Sequence, residues 1–296
     1  MKICYISRTF SSESLKTIAT ANRILEEYAA QGYDLTLRQL YYQFVARGLI
    51  ANKNSEYKKL GAVISDARLA GEIDWDHITD RTRNLRSYSH WGSPREIVEA
   101  CAKQFRFDKW AKQRNYVEVW VEKDALLGVV QVACQPLDVP YFSCRGYTSQ
   151  SEMWSAAMRL IRQLRAGKQV YVIHLGDHDP SGIDMSRDIR ERIEMFLSRH
   201  LEGTRKFELN RIAMNMDQVE RYSPPPNPAK ITDSRAARYI KEYGDESWEL
   251  DALEPSLLTA LIQDSVSKLR DQELWDASVT AEDEARERLR EAAETL

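Results

Sequence analysis

Apolar positions recur at helical spacing through the first third of the chain. In SLKTIATANRILEEYAAQ, Leu15, Ile18, Ile24 and Leu25 fall near one face, and Gly32 stops the run. LTLRQLYYQFVARG opens with a capping box, Thr36 at the N-cap and Gln39 three residues on, and Leu35 and Leu40 are placed as a hydrophobic staple. A third helix, EYKKLGAVISDARLAG, ends at Gly71. EIDWDHITDRTRNLR follows it, short, partly alternating and basic at its end. Three helices and a hairpin-like segment predict a winged helix-turn-helix whose last helix enters the major groove. A plain three-helix bundle with solvated charges fits the same pattern.

Placed on a helical wheel with Leu37 at zero, Leu40, Tyr41, Phe44 and Val45 share one apolar face, which makes Tyr41 a core residue. Tyr42 and Arg38 fall on the rim, four residues apart and therefore neighbours, so an exposed phenol beside a guanidinium is expected.

After a linker candidate, SYSHWGSPRE, the texture changes to alternating strands and helices. YVEVWV, VPYFSC, QVYVIHLG and FELNRIAM read as strands. DALLGVVQVAC, SQSEMWSAAMRLIRQLRAG and DMSRDIRERIEMFLSRH read as the helices between them. That order predicts an α/β fold with a mostly parallel sheet. The expected organisation is a winged-helix domain over 1–90, a linker over 91–112, an α/β domain over 113–254 with the rigid connection SPPPNPAK inside it, and a helical tail over 255–296.

Composition narrows the classes. The chain has 296 residues, 43% of them hydrophobic and 29% charged, enough for a sizeable core and unlike a disordered or rod-like chain. No run suits a membrane span and MKICYISRTF is no signal peptide, so a soluble, cytoplasmic protein is expected. Four scattered cysteines suggest neither a disulfide framework nor a zinc site. The net charge of −3 hides an asymmetry. Residues 1–110 hold 17 Lys and Arg against 13 Asp and Glu, whereas the last 26 residues hold nine acids and three bases. A mildly basic N-terminal third permits contact with phosphate. The candidate DNA contacts are Arg38, Lys58, Lys59 and Arg68 on the helices, and Arg81, Arg83 and Arg86 on the wing.

In parallel α/β sheets ligands bind beyond the carboxyl ends of the strands, and two strands here run into acids. YVEVWV leads to Glu122, and QVYVIHLG leads to Asp177-His178-Asp179 with Pro180 and Gly182 behind. Three carboxylates at adjacent strand ends repel one another unless a cation separates them, and hard oxygen ligands select Mg²⁺. Glu122 could instead cap a helix, and D-x-D occurs in many loops. His178 is expected to point outward and His174 to be buried in its strand. Glu249 and Asp251 in WELDAL read as solvated helix-end acids, with a distant metal ligand as the alternative.

R-Q-L-Y-Y, then VEVWVEKDA, CRGY and HLGDHDPSGIDM, together resemble the A subunit of type IIB topoisomerases (topoisomerase VI) and its meiotic double-strand-break relatives. The likeness runs from about Leu35 to about Met214, in the same order, and the α/β domain resembles a Toprim domain. PPPNPAKITDSRAARYIKEYGDESWELDAL is similar to the stand-alone "mini-A" versions of phages and plasmids. The resemblance implies Tyr42 as the nucleophile, Arg38 as its partner, and Glu122, Asp177 and Asp179 as Mg²⁺ ligands. Gly146 and Gly182 match family glycines, Gln39 stands where relatives often have Asp, and His178 separates the aspartates. It also implies cleavage of double-stranded DNA through a 5′-phosphotyrosyl bond by a homodimer, the tyrosine of one chain working with the carboxylates of the other. An ATPase B-type subunit is a possible partner, although the chain begins close to the winged helix and leaves little to dock one. Two other classes stay open: a Toprim nuclease that uses water, and a DNA-binding protein with no catalysis.

Overall fold

The computed structural model describes residues 2–79, 88–200 and 206–296; the expected wing residues Arg81, Arg83 and Arg86 lie outside them. The N-terminal unit holds α1 (Ser12–Ala29), α2 (Leu37–Ala46) and α3 (Asn54–Leu69). Both halves of the expected capping box form at α2. Thr36 Oγ1 accepts from Gln39 N at 3.2 Å, and Gln39 Oε1 accepts from Thr36 N at 2.9 Å. Ile24, Leu25, Leu35, Leu40, Phe44 and Ile64 form the unit's core, joined by Ala252 from far along the chain.

α2 departs from a one-faced helix. Six consecutive residues, Gln39 to Phe44, are buried. Tyr41 is in the core as expected, its hydroxyl donating to Asn52 Oδ1 at 2.9 Å. Tyr42, expected on the exposed rim, is only 4% exposed. A wheel assumes that one face packs and the other meets water. Here residues near 250 cover the second face.

The α/β unit follows the predicted order. β1 (Asn115–Val121), β2 (Tyr141–Ser143), β3 (Gln169–Leu175) and β4 (Phe207–Ala213) form one sheet in the order β2-β1-β3-β4, every pair parallel. Its strands are nearly continuous apolar runs because helices cover both faces. Trp120, Val170, Val172 and Leu209 pack under α6 (Gln150–Arg165) and α7 (Pro180–His200). Val117, Val119, Val121, Ile173 and Leu175 pack on the other side with α5 (Leu127–Cys134) and α10 (Pro255–Ser267). After β4 come α8 (Met216–Tyr222), β5 (Asn227–Pro228), α9 (Ala236–Tyr243) and β6 (Glu246–Ser247), with β5 and β6 paired antiparallel.

The expected linker and tail are not separate pieces. α4 (Pro94–Gln104) lies inside the 91–112 stretch and packs along α11 (Gln272–Glu294). Glu282 is 3% exposed and is met by Lys109 Nζ at 2.7 Å and Arg286 at 2.6 Å. Leu258, Ile262 and Val266 of α10 belong to the sheet's own core. Among the described residues no helix is long and apolar enough to cross a membrane.

His174 sits on β3 fully buried, Nδ1 at 2.9 Å from Ser186 Oγ. Burial, helped by the nearby Arg211 cation, lowers it to about 3. Below its ordinary value near 6.5 the unfolded chain takes up a proton here and the folded chain does not, so stability falls as pH drops. The cost at about pH 5 is on the order of 2 kcal/mol. Urea unfolding at about pH 7.5 and about pH 5 should show a larger loss for the wild type than for His174→Gln. Equal losses would assign the pH dependence elsewhere.

Candidate active site

β1 and β3 are neighbours in register, Val121 beside Leu175, so Glu122 and the Gly176–Asp177 turn leave the sheet side by side. Glu122 Oε2 accepts from Asp177 N at 2.9 Å. Asp179 caps α7: its Oδ1 accepts from Gly182 N at 2.6 Å, and Pro180 opens the helix behind it. A Cβ on Gly182 would lie 2.2 Å from Asp177 O and 3.1 Å from Glu122 Oε2, so only glycine lets the helix start this close to both. Arg211, on β4, donates to the carbonyls of Asp177 (2.6 Å), Gly176 (2.9 Å) and Gly182 (3.1 Å) and ties the turn to the sheet.

The three expected ligands differ in what they are free to do. Asp177 is committed: Oδ1 accepts from Leu250 N at 2.7 Å, and Oδ2 pairs with Lys123 Nζ at 2.8 Å. Glu122 Oε1 and Asp179 Oδ2 accept no hydrogen bond among the described residues, Lys230 Nζ being 3.9 Å from the latter. No three His, Cys, Asp or Glu side chains converge closely enough to hold a metal ion among the described residues. The all-oxygen chemistry of Glu122 and Asp179 suits a hard divalent cation, with water completing its shell. The expected three-carboxylate set is not assembled, because a lysine has taken Asp177.

That lysine is the centre of a second cluster. Lys123 also pairs with Glu249 and lies 3.8 Å from Asp251 Oδ2. Arg38 reaches the same acids, Nη2 at 3.3 Å from Glu249 and Nε at 3.3 Å from Asp251. Glu249 and Asp251 are therefore not solvated helix-end acids. Burial tends to raise Glu249, but Lys123 and Arg38 outweigh it and hold the group below the usual carboxylate range. Asp251 is buried and neither oxygen accepts a hydrogen bond among the described residues; burial raises it. Burial likewise raises Glu122.

Tyr42 lies against this cluster. The Arg38 guanidinium is 6.0 Å from its ring centre. Burial, then the Glu249 charge, pushes the phenol upward, and Arg38 opposes both. Arg38, Tyr42, Asp179, Lys230 and Glu249 border one cleft of about 420 Å³. The resemblance implied that tyrosine and carboxylates meet across two chains; here Tyr42 and one of those carboxylates, Asp179, border one cleft within a single chain.

The remaining candidates are dispersed. Lys58 and Lys59 are exposed on α3, Lys59 pairing with Glu56 at 2.9 Å. Arg68 is half-buried, donating to the carbonyls of Trp75 and Ile78 and stacking 4.3 Å from the Trp75 ring centre, so its guanidinium already has protein partners. His178 does not point outward: it is 2% exposed among Tyr239, Tyr243 and Trp248, Nδ1 at 2.8 Å from the Tyr239 hydroxyl. Lys123, Arg211 and Lys230 escaped the sequence reading. Only Lys123, next to the strand-end Glu122, had a positional signal. Comparison with known protein families, curated proteins and solved structures returned no match.

Removing the Lys123 ammonium leaves Asp177, Glu249 and Asp251 facing one another. Lys123→Met is expected to cost about 3–5 kcal/mol, as for a buried pair stripped of one partner. A second change, Glu249→Gln, should restore part of it. Chemical denaturation of the single and double variants measures both. An unchanged unfolding midpoint in Lys123→Met would show that the ammonium does not hold the cluster.

Proposed function

We propose that this protein is a DNA-cleaving transesterase of the topoisomerase VI A-subunit type, with the N-terminal unit as its winged-helix domain and the α/β unit as its Toprim domain. The observation that carries the reading is the shared cleft, which puts Tyr42 and Arg38 beside Asp179 and Glu249 at the carboxyl end of the sheet. A phenol, a guanidinium and strand-end carboxylates are what transfer of a phosphoryl group to tyrosine requires.

Tyr42 Oη attacks a DNA phosphorus in line and loses its proton as the new P–O bond forms. The bond to the 3′ oxygen breaks, leaving a 5′-phosphotyrosyl ester and a free 3′-hydroxyl. A buried phenol resists ionisation, and Arg38 counters this by placing positive charge beside the ring. The same guanidinium stabilises charge developing on the phosphorane. Asp179 and Glu122, held by the α7 cap and by Asp177 N, would hold Mg²⁺, which when bound supplies Lewis-acid stabilisation of the phosphate oxygens. Arg211 fixes the turn that carries Asp179. Lys58 and Lys59 offer cations for the backbone farther along the double-stranded DNA. Cutting both strands takes two tyrosines, so the working form in this reading is a homodimer; an ATPase B-type subunit is needed only if strand passage is coupled to ATP.

One observation favours a second reading. Tyr42 is 4% exposed, which suits a metal-dependent nuclease that uses water and keeps Tyr42 as structure. Incubation of the protein with supercoiled plasmid and Mg²⁺ separates the two. The transesterase yields linear or nicked DNA only after denaturation and protease treatment, and at least a hundredfold less product for Tyr42→Phe and for Glu122→Gln. Cutting by Tyr42→Phe without a protein–DNA adduct would establish the nuclease instead.

A further inference from the structure

Tyr42 cannot meet a duplex where it stands. Its ring is 4% exposed and borders a cleft of about 420 Å³, a size that admits a small molecule and not a body as wide as double-stranded DNA. The guanidinium beside it is engaged as well, since Arg38 lies 3.3 Å from both Glu249 and Asp251. One segment causes both effects. The stretch around residue 250 packs on α2, and its carboxylates take the N–H groups of Arg38 that a phosphate would use. The seam between the N-terminal unit and the α/β unit is nevertheless loosely packed. Among the described residues Ala252 alone enters the helical core from outside it. Polar contacts cross elsewhere: Tyr33 Oη donates to Thr259 Oγ1 at 3.0 Å, Asn52 Nδ2 to Asn227 Oδ1 at 2.6 Å, and Tyr28 Oη to Glu254. Two open clefts lie along the seam, the one beside Tyr42 and another of about 620 Å³ between Val45 and the turn at 223–225. Units joined by polar, incompletely packed surfaces move relative to one another as a rule.

We infer that this is a resting form, latched by Glu249 and Asp251 on Arg38, and that the N-terminal unit swings off the α/β unit before Tyr42 reaches double-stranded DNA. The inference rests on the transesterase reading for the role of Tyr42, and on the seam for the motion. Two features keep the cost of opening small. The Arg38 side chain is 48% exposed, so water replaces the acids it gives up, and ion pairs at such positions contribute little. Lys123 stays with Glu249 and Asp251 on the α/β side, so neither carboxylate loses its last cation when the units part. DNA favours the open form, because a backbone phosphate supplies the anion that Arg38 has lost and binds that form alone.

Thiol labelling reads the motion without any DNA. The background carries Cys4→Ser and Cys101→Ser, which removes the two exposed cysteines. A polyethylene-glycol maleimide too large for the cleft should label Tyr42→Cys at least tenfold faster than Ile64→Cys, a position in the helical core that is reached only on unfolding. Glu249→Gln keeps the shape of the latch and removes its charge. It should quicken labelling of Tyr42→Cys about fivefold, the scale of one exposed ion pair, and leave Ile64→Cys unchanged. Arg38→Gln tests the same latch from the other unit, should Glu249→Gln fail to fold. A second arm holds the seam shut: Asn52→Cys and Asn227→Cys, joined by a short bismaleimide, bridge the two units. The bridged protein should cut supercoiled plasmid with Mg²⁺ at least tenfold more slowly than the unbridged one. Labelling of Tyr42→Cys that is no faster than that of Ile64→Cys, or that neither latch change quickens, overturns the inference. So does a Tyr42-dependent adduct formed equally with and without the bridge, which leaves the transesterase reading standing. Latch-dependent labelling with no adduct from any form overturns the transesterase reading alone.

Discussion

Lys123 stands where the two units of the protein meet, and its ammonium holds together groups that would otherwise repel. Asp177 comes from the end of β3, Glu249 and Asp251 from the segment after β6, and all three turn toward the one lysine that follows β1. Arg38 approaches the same acids from α2. Three carboxylates against two cations, with Asp177 and Asp251 buried and Arg38 at the surface, form a junction that neither unit could build alone. An uncompensated charge in such a place is costly, so each group is constrained by the presence of the others.

The segment around residue 250 converts that charge pattern into packing. Trp248 exchanges backbone hydrogen bonds with His178, Leu250 N donates to Asp177, and Ala252 enters the core of the N-terminal helices. One short stretch thus joins the sheet's strand ends to α2 and covers the face of α2 that carries Tyr42. The burial of Tyr42 and its nearness to Asp179 have the same cause. A phenol held this way sits in a low-dielectric pocket beside a guanidinium, where charge acts over short distances with little screening from water.

Much of the architecture was legible in the residues. The capping box at Thr36 and Gln39, the four strands and the helices between them are local or periodic signals, and each appears within a few residues of its expected place. Glu122, Asp177 and Asp179 were legible as strand-end acids because a parallel sheet brings successive strand ends to one edge. The roles within the site were less so. Arg68 was counted as a surface cation, although its guanidinium packs on Trp75, and α11 was taken for an acidic tail although Lys109 and Arg286 neutralise its buried Glu282. Charge counted along a chain does not say which charges find partners across it.

What the sequence by itself determined is the set of elements and the stations of the chemistry: a helical unit with Arg38 and Tyr42 on one helix, and a parallel sheet that delivers three acids to its edge. Those follow from periodicity, caps and the geometry of strands, all of which act over a few residues. Tertiary structure alone decided that Tyr42 is enclosed, that Lys123 engages Asp177, and that Glu249 and Lys230 join the cleft. Tyr42 and Glu249 lie more than two hundred positions apart, and burial and ion pairing between such residues depend on how the two units pack, which no local pattern encodes.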